Sequence, residues 1–173
     1  ATPAMLNVGR AKAEESGLAN MEFVHGLVED IPFEAQSFEI VLTRLAFHHF
    51  PNVEKAFAEM ARVVKKSGRL VVIDMEAAEE ELRQIEDHLE TLRDPSHVKN
   101  LSKREFLGLF AAHDFQVTRQ ESTIIPVSLK AWLALTETPA GLGEEIRARL
   151  ETEPKGGPAT GFKHYLKAVP YTH

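Results

Sequence analysis

Two short apolar runs constrain the fold of this chain more than any other feature. Ile40–Leu42 and Leu70–Ile73 contain no alternating polar residues, which is typical of strands covered on both faces of a parallel sheet. Between them, Asn52 can cap a helix whose apolar residues repeat at helical spacing and which is expected to end at Gly68. A strand, a helix and a strand within roughly 35 residues form a βαβ unit. Two parallel strands are therefore predicted.

Polar residues follow each run at the point where its strand should end. Arg44, His48 and His49 come just after the first run, and Asp74 closes the second. In open α/β sheets, ligands bind in the crevice outside the carboxyl ends of the strands, so the active site is expected here. The alternative is a loop without a chemical role, since adjacent histidines after a strand are often ordinary loop residues.

Other elements are predicted on both sides of this unit. Thr2 and Pro3 form a helix start, and that helix should end at Gly17. Ser102 and Glu105 form a capping box that opens another helix. The remaining predictions are strands at Glu22–His25, Phe115–Thr123 and Phe162–Ala168, an extended segment at Ile31–Phe33, and helices at Glu76–Leu92, Ser128–Leu135 and Glu144–Leu150.

Length and composition limit the class of protein. The 173 residues are enough for about one domain, and 43% hydrophobic with 27% charged residues is ordinary for a globular chain without a membrane span. A net charge of -6 argues against a nucleic-acid partner. The absence of cysteine excludes disulfides and thiolate sites and fits a cytoplasmic location.

Common catalytic motifs are absent from the sequence. There is no G-x-G-x-x-G, G-x-x-x-x-G-K-[ST], H-E-x-x-H or G-x-S-x-G pattern. Of the eight histidines, His48 and His49 are the neighbouring pair, and adjacent residues seldom point at one metal ion. No metal site is expected.

Seven pieces of the chain, in order, resemble S-adenosylmethionine-dependent methyltransferases, most closely the ubiquinone and menaquinone biosynthesis type and its uncharacterised relatives. The pieces are Met5-Leu6 with Ala11-Lys12-Ala13, Phe23–Gly26, Ile31–Phe33, Ser37–Val41, His48–Phe50, Arg62–Gly68 and Arg93–His97. The resemblance implies an α/β fold with a doubly wound, mostly parallel, Rossmann-like sheet. It also implies a truncated sheet, because the first two strands and the glycine-rich cofactor motif would lie ahead of residue 1.

The same resemblance implies a single domain, residues 1–173, with three parts. Residues 1–75 would hold the remaining core βα units, residues 76–127 lid-like helices and a strand, and residues 128–173 the C-terminal helices and last strand.

Site residues follow from the positions that match the family. The cofactor, S-adenosylmethionine, would contact Leu27, Val28, Arg44, Leu45 and Ala46. Relatives usually carry Gly-Asp at the position of Leu27, and leucine cannot accept the hydrogen bond of the adenine amino group; Glu29 or Asp30 could replace that acceptor. His48 and His49 would be catalytic, and Arg93, Asp94 and His97 would contact the substrate.

Two functions remain open on the sequence. The first is methyl transfer to a small molecule, although this chain by itself is expected not to bind S-adenosylmethionine. The second is a non-catalytic, truncated relative that acts as an oligomeric binding or structural protein. A homodimer is expected in either case, because the strand at Phe38–Leu42 would have an unpaired apolar edge.

Overall fold

The computed structural model describes residues 2–162, which form an α/β arrangement. Within these residues the chain divides into two compact units: the segment up to Thr43 with Asn52–Val72, and Arg44–Pro51 with the segment from Ile73 to Phe162. The elements are α1 (Pro3–Glu15), β1 (Phe38–Arg44), α2 (Val53–Val63), β2 (Val64–Ile73), α3 (Glu80–Arg93), α4 (Lys103–Ala112), α5 (Leu129–Ala134) and α6 (Ala140–Thr152), with 3₁₀ turns at Phe47–His49 and Glu153–Lys155.

The sheet of the described chain pairs β1 with β2. At one end Lys65 forms an ion pair with Glu39, and at the other the N–H of Leu45 donates to the carbonyl of Ile73 at 2.8 Å. The early residues of β1 thus face the early residues of β2, so the strands are parallel with α2 as the crossover. The predicted βαβ unit is confirmed.

The predicted burial of β1 is wrong. Ile40 and Leu42 are 61% and 58% exposed, whereas a strand covered on both faces would bury them. Burial of a strand depends on neighbours on each side. Within residues 2–162, β2 is the strand hydrogen-bonded to β1, so apolar side chains of β1 stay in contact with solvent.

Helix α2 begins as predicted and ends earlier than predicted. The Asn52 side chain accepts a hydrogen bond from the N–H of Lys55 at 3.0 Å, and the apolar face is buried along its length at Ala56, Phe57, Met60 and Val63. Val64 already has extended dihedral angles, and β2 runs through Gly68. A Cβ on Gly68 would lie 2.7 Å from the carbonyl oxygen of Glu39. This glycine therefore permits close strand approach and does not end a helix.

Several other predicted elements differ in the structure. The predicted strands at Glu22–His25 and Phe115–Thr123 are not strands. Helix α3 starts four residues later than Glu76, because Glu76 forms a parallel bridge with Leu101. Helix α6 starts at Ala140, directly after Pro139. The predicted strand Phe162–Ala168 lies, beyond its first residue, outside the described residues.

The second unit has an apolar core between α3 and α6. Leu89 and Ile146 are fully buried, and Leu150 is 8% exposed. Partly buried side chains pack against these three: Ile85, Leu92, Leu129, Trp132, Leu133 and Phe162. In the described part of the chain, no helix has the length and apolar character needed to cross a membrane.

Candidate functional site

The segment that leaves β1 turns sharply. We define residues 45–49 as the histidine loop. Leu45 has φ +50°, a left-handed conformation that costs a leucine on the order of 1 kcal/mol and persists only where its surroundings hold it. The N–H of Leu45 donates to Ile73, as described above. Phe47 anchors the loop in the interior, being fully buried with its ring 5.6 Å from that of Phe106.

Asp74, at the end of β2, holds this loop. Its Oδ2 accepts hydrogen bonds from the N–H groups of Ala46 at 2.9 Å and Phe47 at 2.7 Å. Its Oδ1 accepts the N–H of Met75 at 2.8 Å and lies 2.6 Å from Nδ1 of His48. The carboxylate is 1% exposed. Burial acts to raise the pKa of Asp74, but the hydrogen bonds from His48 and Phe47 outweigh it and keep that pKa below its ordinary value.

Three histidine rings meet at the loop. The rings of His48 and His49 are 4.1 Å apart between centroids, and those of His48 and His97 are stacked at 5.7 Å. Nδ1 of His49 lies 3.0 Å from the carbonyl oxygen of Ser96. The N–H of Val98 donates to the carbonyl of His48 at 2.8 Å. The segment around Ser96–Val98 is therefore fixed against the histidine loop by backbone as well as side-chain contacts.

His97 has a carboxylate partner of its own. Its Nε2 lies 2.8 Å from Oδ1 of Asp87, and the same oxygen accepts the N–H of Asn100 at 2.9 Å. The His97 side chain has no exposed surface. Its Nδ1 is buried and has no hydrogen-bond partner among the described residues, which leaves an unused nitrogen on the ring stacked against His48.

The other two predicted substrate residues lie in different settings. Asp94 Oδ1 accepts the N–H and hydroxyl of Ser96 at 2.9 Å and 2.6 Å. Burial acts to raise the pKa of Asp94, but the hydrogen bonds from Ser96 have the larger effect in the opposite direction. The pKa of Asp94 is therefore below its usual value. Arg93 is 8% exposed and engaged elsewhere: it pairs with Glu90 at 2.8 Å, and its guanidinium lies 4.8 Å from the centre of the Trp132 ring.

The structure thus brings some predicted residues together and not others. His48, His49 and His97 are adjacent, and Asp94 reaches His49 through Ser96. Arg93 is committed to an internal ion pair. Leu27 and Val28 belong to the first unit, where Leu27 forms an antiparallel bridge with Asp30.

The sequence places Asp74 among the polar residues at the strand ends but gives it no role, and it does not point to Asp87 at all. Asp74 ends the second apolar run, and this position was the available signal for it. Asp87 lies within an acidic helix, and the sequence carries no local signal that separates it from its neighbours.

The residues predicted to contact S-adenosylmethionine fit part of that molecule. Leu27 is 69% exposed and Leu45 is 41% exposed, and each offers apolar surface to an adenosine ring. The N–H groups of Leu45, Ala46 and Phe47 are already donated within the chain. None of the five predicted residues has a carboxylate or amide side chain. Four of them offer apolar surface, and the Arg44 guanidinium can donate to a hydroxyl oxygen, but no side chain among the five can accept a hydrogen bond from the hydroxyl or amino groups of the cofactor.

Comparison with known proteins gives the family of this chain. A family model described as "Methyltransferase domain" matches residues 1–72. The uncharacterized methyltransferase YcgJ of Bacillus subtilis is 36% identical over 151 residues, which cover 87% of this chain and 60% of YcgJ. The crystal structure of YcgJ superposes with a TM-score of 0.81 at 36% identity, over 86% of this chain and 64% of that one.

Two further relatives extend the comparison. The uncharacterized protein YafE of Escherichia coli is 34% identical over 144 residues, 83% of this chain and 70% of YafE. The ubiquinone/menaquinone biosynthesis C-methyltransferase UbiE of Rhizobium meliloti is 38% identical over 76 residues, 43% of this chain and 30% of UbiE. The chain therefore spans between about a third and about two thirds of the length of these relatives.

The structural neighbours share a Rossmann-like methyltransferase fold, and the βαβ unit described above is consistent with a part of that sheet. S-adenosylmethionine is the cofactor of the family to which these relatives point. On the fold, the family model and the similarity to YafE and YcgJ together, this chain belongs to the S-adenosylmethionine-dependent methyltransferases.

Proposed function

We propose that this chain takes part in methyl transfer from S-adenosylmethionine to a small molecule, and that the histidine loop is where the acceptor is held. The observation that carries the proposal is the anchoring of His48 by Asp74 at the carboxyl end of the sheet. A base and the group that orients it, held within hydrogen-bonding distance, form the usual pairing of general-base catalysis. The net charge of -6 favours a small molecule over a nucleic acid.

Methyl transfer depends mainly on positioning. When bound, S-adenosylmethionine supplies an electrophilic methyl group. The chain's own residues have two tasks: to hold the acceptor atom in line and to remove its proton where it carries one. We assign proton removal to His48 and contact with the acceptor to His49, which is half-buried and lies beside it.

Of the other predicted residues, some are proposed to contact the acceptor or the cofactor, and one is proposed to stabilise the fold. Asp94 and His97 flank the histidine pair, and we propose that they shape the acceptor side of the site. Arg93 is proposed to support the helix through Glu90 instead of contacting substrate. Arg44, Leu45 and Ala46 are proposed as one contact of the cofactor, and Leu27 and Val28 as another. The absence of cysteine fits our placement of the reaction in the cytoplasm.

A second candidate function rests on β1. Ile40 and Leu42 are largely exposed and, being two residues apart, lie on the same face of β1. Exposed apolar strands are normally paired or covered. We propose, as the alternative, a non-catalytic protein that binds or assembles through this strand as a homodimer. This alternative requires no cofactor.

Titration calorimetry of the purified chain with S-adenosylmethionine separates the two functions. The sequence predicts no binding by the chain alone, but the exposed apolar side chains of Leu27 and Leu45 lead us to expect weak binding instead. We expect a Kd of roughly 1 mM, or about 4 kcal/mol of binding free energy. Micromolar binding would eliminate the non-catalytic alternative. An absence of heat at several-fold higher cofactor concentration would eliminate the methyltransferase proposal for this chain.

A further inference from the structure

The proton of the His48 ring can be placed from the partners of Asp74. An ionised carboxylate accepts hydrogen bonds and donates none. Three of its four contacts are backbone N–H groups, those of Ala46, Phe47 and Met75. The fourth, Nδ1 of His48 at 2.6 Å, must then be a donor as well. The neutral His48 ring therefore carries its proton on Nδ1 and has its lone pair on Nε2.

We propose that Asp74 is a positioning residue that fixes this tautomer, so that Nε2 of His48 is the nitrogen able to take a proton from the acceptor. The inference rests on the proposed function for its purpose, since it names the group that prepares the base. The tautomer itself is a property of the folded chain and exists without cofactor or substrate.

The same carboxylate also fixes the shape of the loop. Its Oδ2 holds the N–H groups of Ala46 and Phe47 directly after Leu45, whose left-handed backbone needs such support. One buried side chain thus sets both the direction of the backbone and the tautomer of the base. The lowered pKa of Asp74 is consistent with a carboxylate that stays ionised near neutral pH.

Replacement of Asp74 by asparagine is expected to reverse the tautomer of His48. Asparagine has one oxygen and one NH₂ group. If its NH₂ faced Ala46 and Phe47, two backbone donors would lose their acceptor. If its oxygen stays there instead, the NH₂ faces Met75 and His48, so that the N–H of Met75 alone loses its acceptor and His48 can accept by moving its proton to Nε2. A buried donor without an acceptor costs about 1–3 kcal/mol, so the second arrangement is preferred.

Asp87 provides the matched control. Both hydrogen bonds described for it, from Nε2 of His97 and from the N–H of Asn100, go to the same oxygen, Oδ1. An asparagine at this position keeps both by placing its oxygen there. Asp87→Asn is therefore expected to leave the tautomers of His97 and His48 unchanged.

The test is long-range ¹H–¹⁵N correlation of the imidazole rings in the purified chain, at about pH 8.5, where an ordinary histidine is neutral. We expect His48 to be the Nδ1–H tautomer in the wild type and in Asp87→Asn, and the Nε2–H tautomer in Asp74→Asn, with a reversal of at least about tenfold in population. An Nε2–H tautomer for His48 in the wild type would overturn the inference, and this arm needs no variant to fold. An unchanged tautomer in folded Asp74→Asn would overturn it as well. Because no cofactor is added, failure of methyl transfer leaves these outcomes unaffected.

Discussion

At the scale of single residues, Arg93 and His97 show how neighbours in one motif have different tasks. Four residues apart in the sequence, they lie in different surroundings. The ring of His97 stacks on that of His48. Arg93 instead forms an ion pair with Glu90, which is 2% exposed, and its guanidinium lies over the ring of Trp132. The resemblance implies that both residues contact the substrate. The packing of Arg93 indicates that it stabilises the fold whether or not substrate is bound.

Arg93→Ala is predicted to lower the free energy of unfolding by about 3–5 kcal/mol, because the buried Glu90 carboxylate loses its cation. The double variant Arg93→Ala with Glu90→Ala should lose less, since no uncompensated charge remains. Urea denaturation of both variants measures the difference. If Arg93→Ala is as stable as the wild type and loses only substrate turnover, the structural role is contradicted and Arg93 contacts the substrate.

The residues of the site were predictable to different degrees. His48 and His49 follow a recognisable apolar run, so their place at the end of a strand could be inferred. The role of Asp74 could not, because its bonds to Ala46, Phe47 and His48 span 26 to 28 residues. Sequence periodicity reports which face of an element is buried, and it does not report which side chains meet across two elements.

At the scale of elements, the start of α4 shows a local signal that the structure confirms. Ser102 and Glu105 form the predicted capping box. Glu105 also pairs with Arg83 at 2.8 Å and Lys99 at 2.7 Å. Burial acts to raise the pKa of Glu105, but hydrogen bonds from Lys99, Ser102 and Arg83 lower it to about 2. The cap is therefore also the point where α3 and α4 are joined.

The contact of Glu105 with α3 depends on pH, because folding lowers the pKa of Glu105. The pKa of Glu105 is about 2 in the folded chain, below the ordinary value of 4.5. Its contribution is therefore complete above pH 4.5 and is lost as the pH falls toward 2. Glu105→Gln is predicted to lower the free energy of unfolding at pH 7 by about 1–2 kcal/mol, allowing for solvent screening.

Denaturation of wild type and Glu105→Gln between pH 7 and pH 2.5 checks this, and the difference should shrink below about pH 4.5. Glu121→Gln is the matched control. Glu121 pairs with Arg119 where both side chains are mostly exposed, so its effect should be near zero. A difference for Glu105→Gln that is constant with pH would contradict the ion-pair account.

Elements that depend on partners were predicted less well than helix starts. The caps at Thr2, Asn52, Ser102 and Ser128 are local and lie where the sequence places helix starts. The strands predicted at Glu22–His25 and Phe115–Thr123 are absent from the described chain, since a strand forms only where another is available to pair with it. The early end of α2 reflects the same cause, because pairing with β1 draws Val64–Gly68 into β2.

At the scale of the whole molecule, the exposed apolar residues of β1 predict self-association. Light scattering should show a dimer, and Ile40→Asp should shift it to monomer by placing a charge on a side chain that is 61% exposed. Leu135→Asp is the control, since Leu135 is 75% exposed and lies outside the sheet. A stable wild-type monomer, or equal dissociation in both variants, would contradict assembly through β1.

The central claim is that the histidine loop is the functional site of a methyltransferase family member. Its most direct test is ¹H–¹⁵N chemical-shift mapping of the chain with S-adenosylmethionine, which detects weak binding. The account predicts that the largest amide shifts fall within residues 44–49 and at Leu27 and Val28, with Met75 also affected through Asp74. Shifts confined to other segments, or none at several millimolar cofactor, would contradict it.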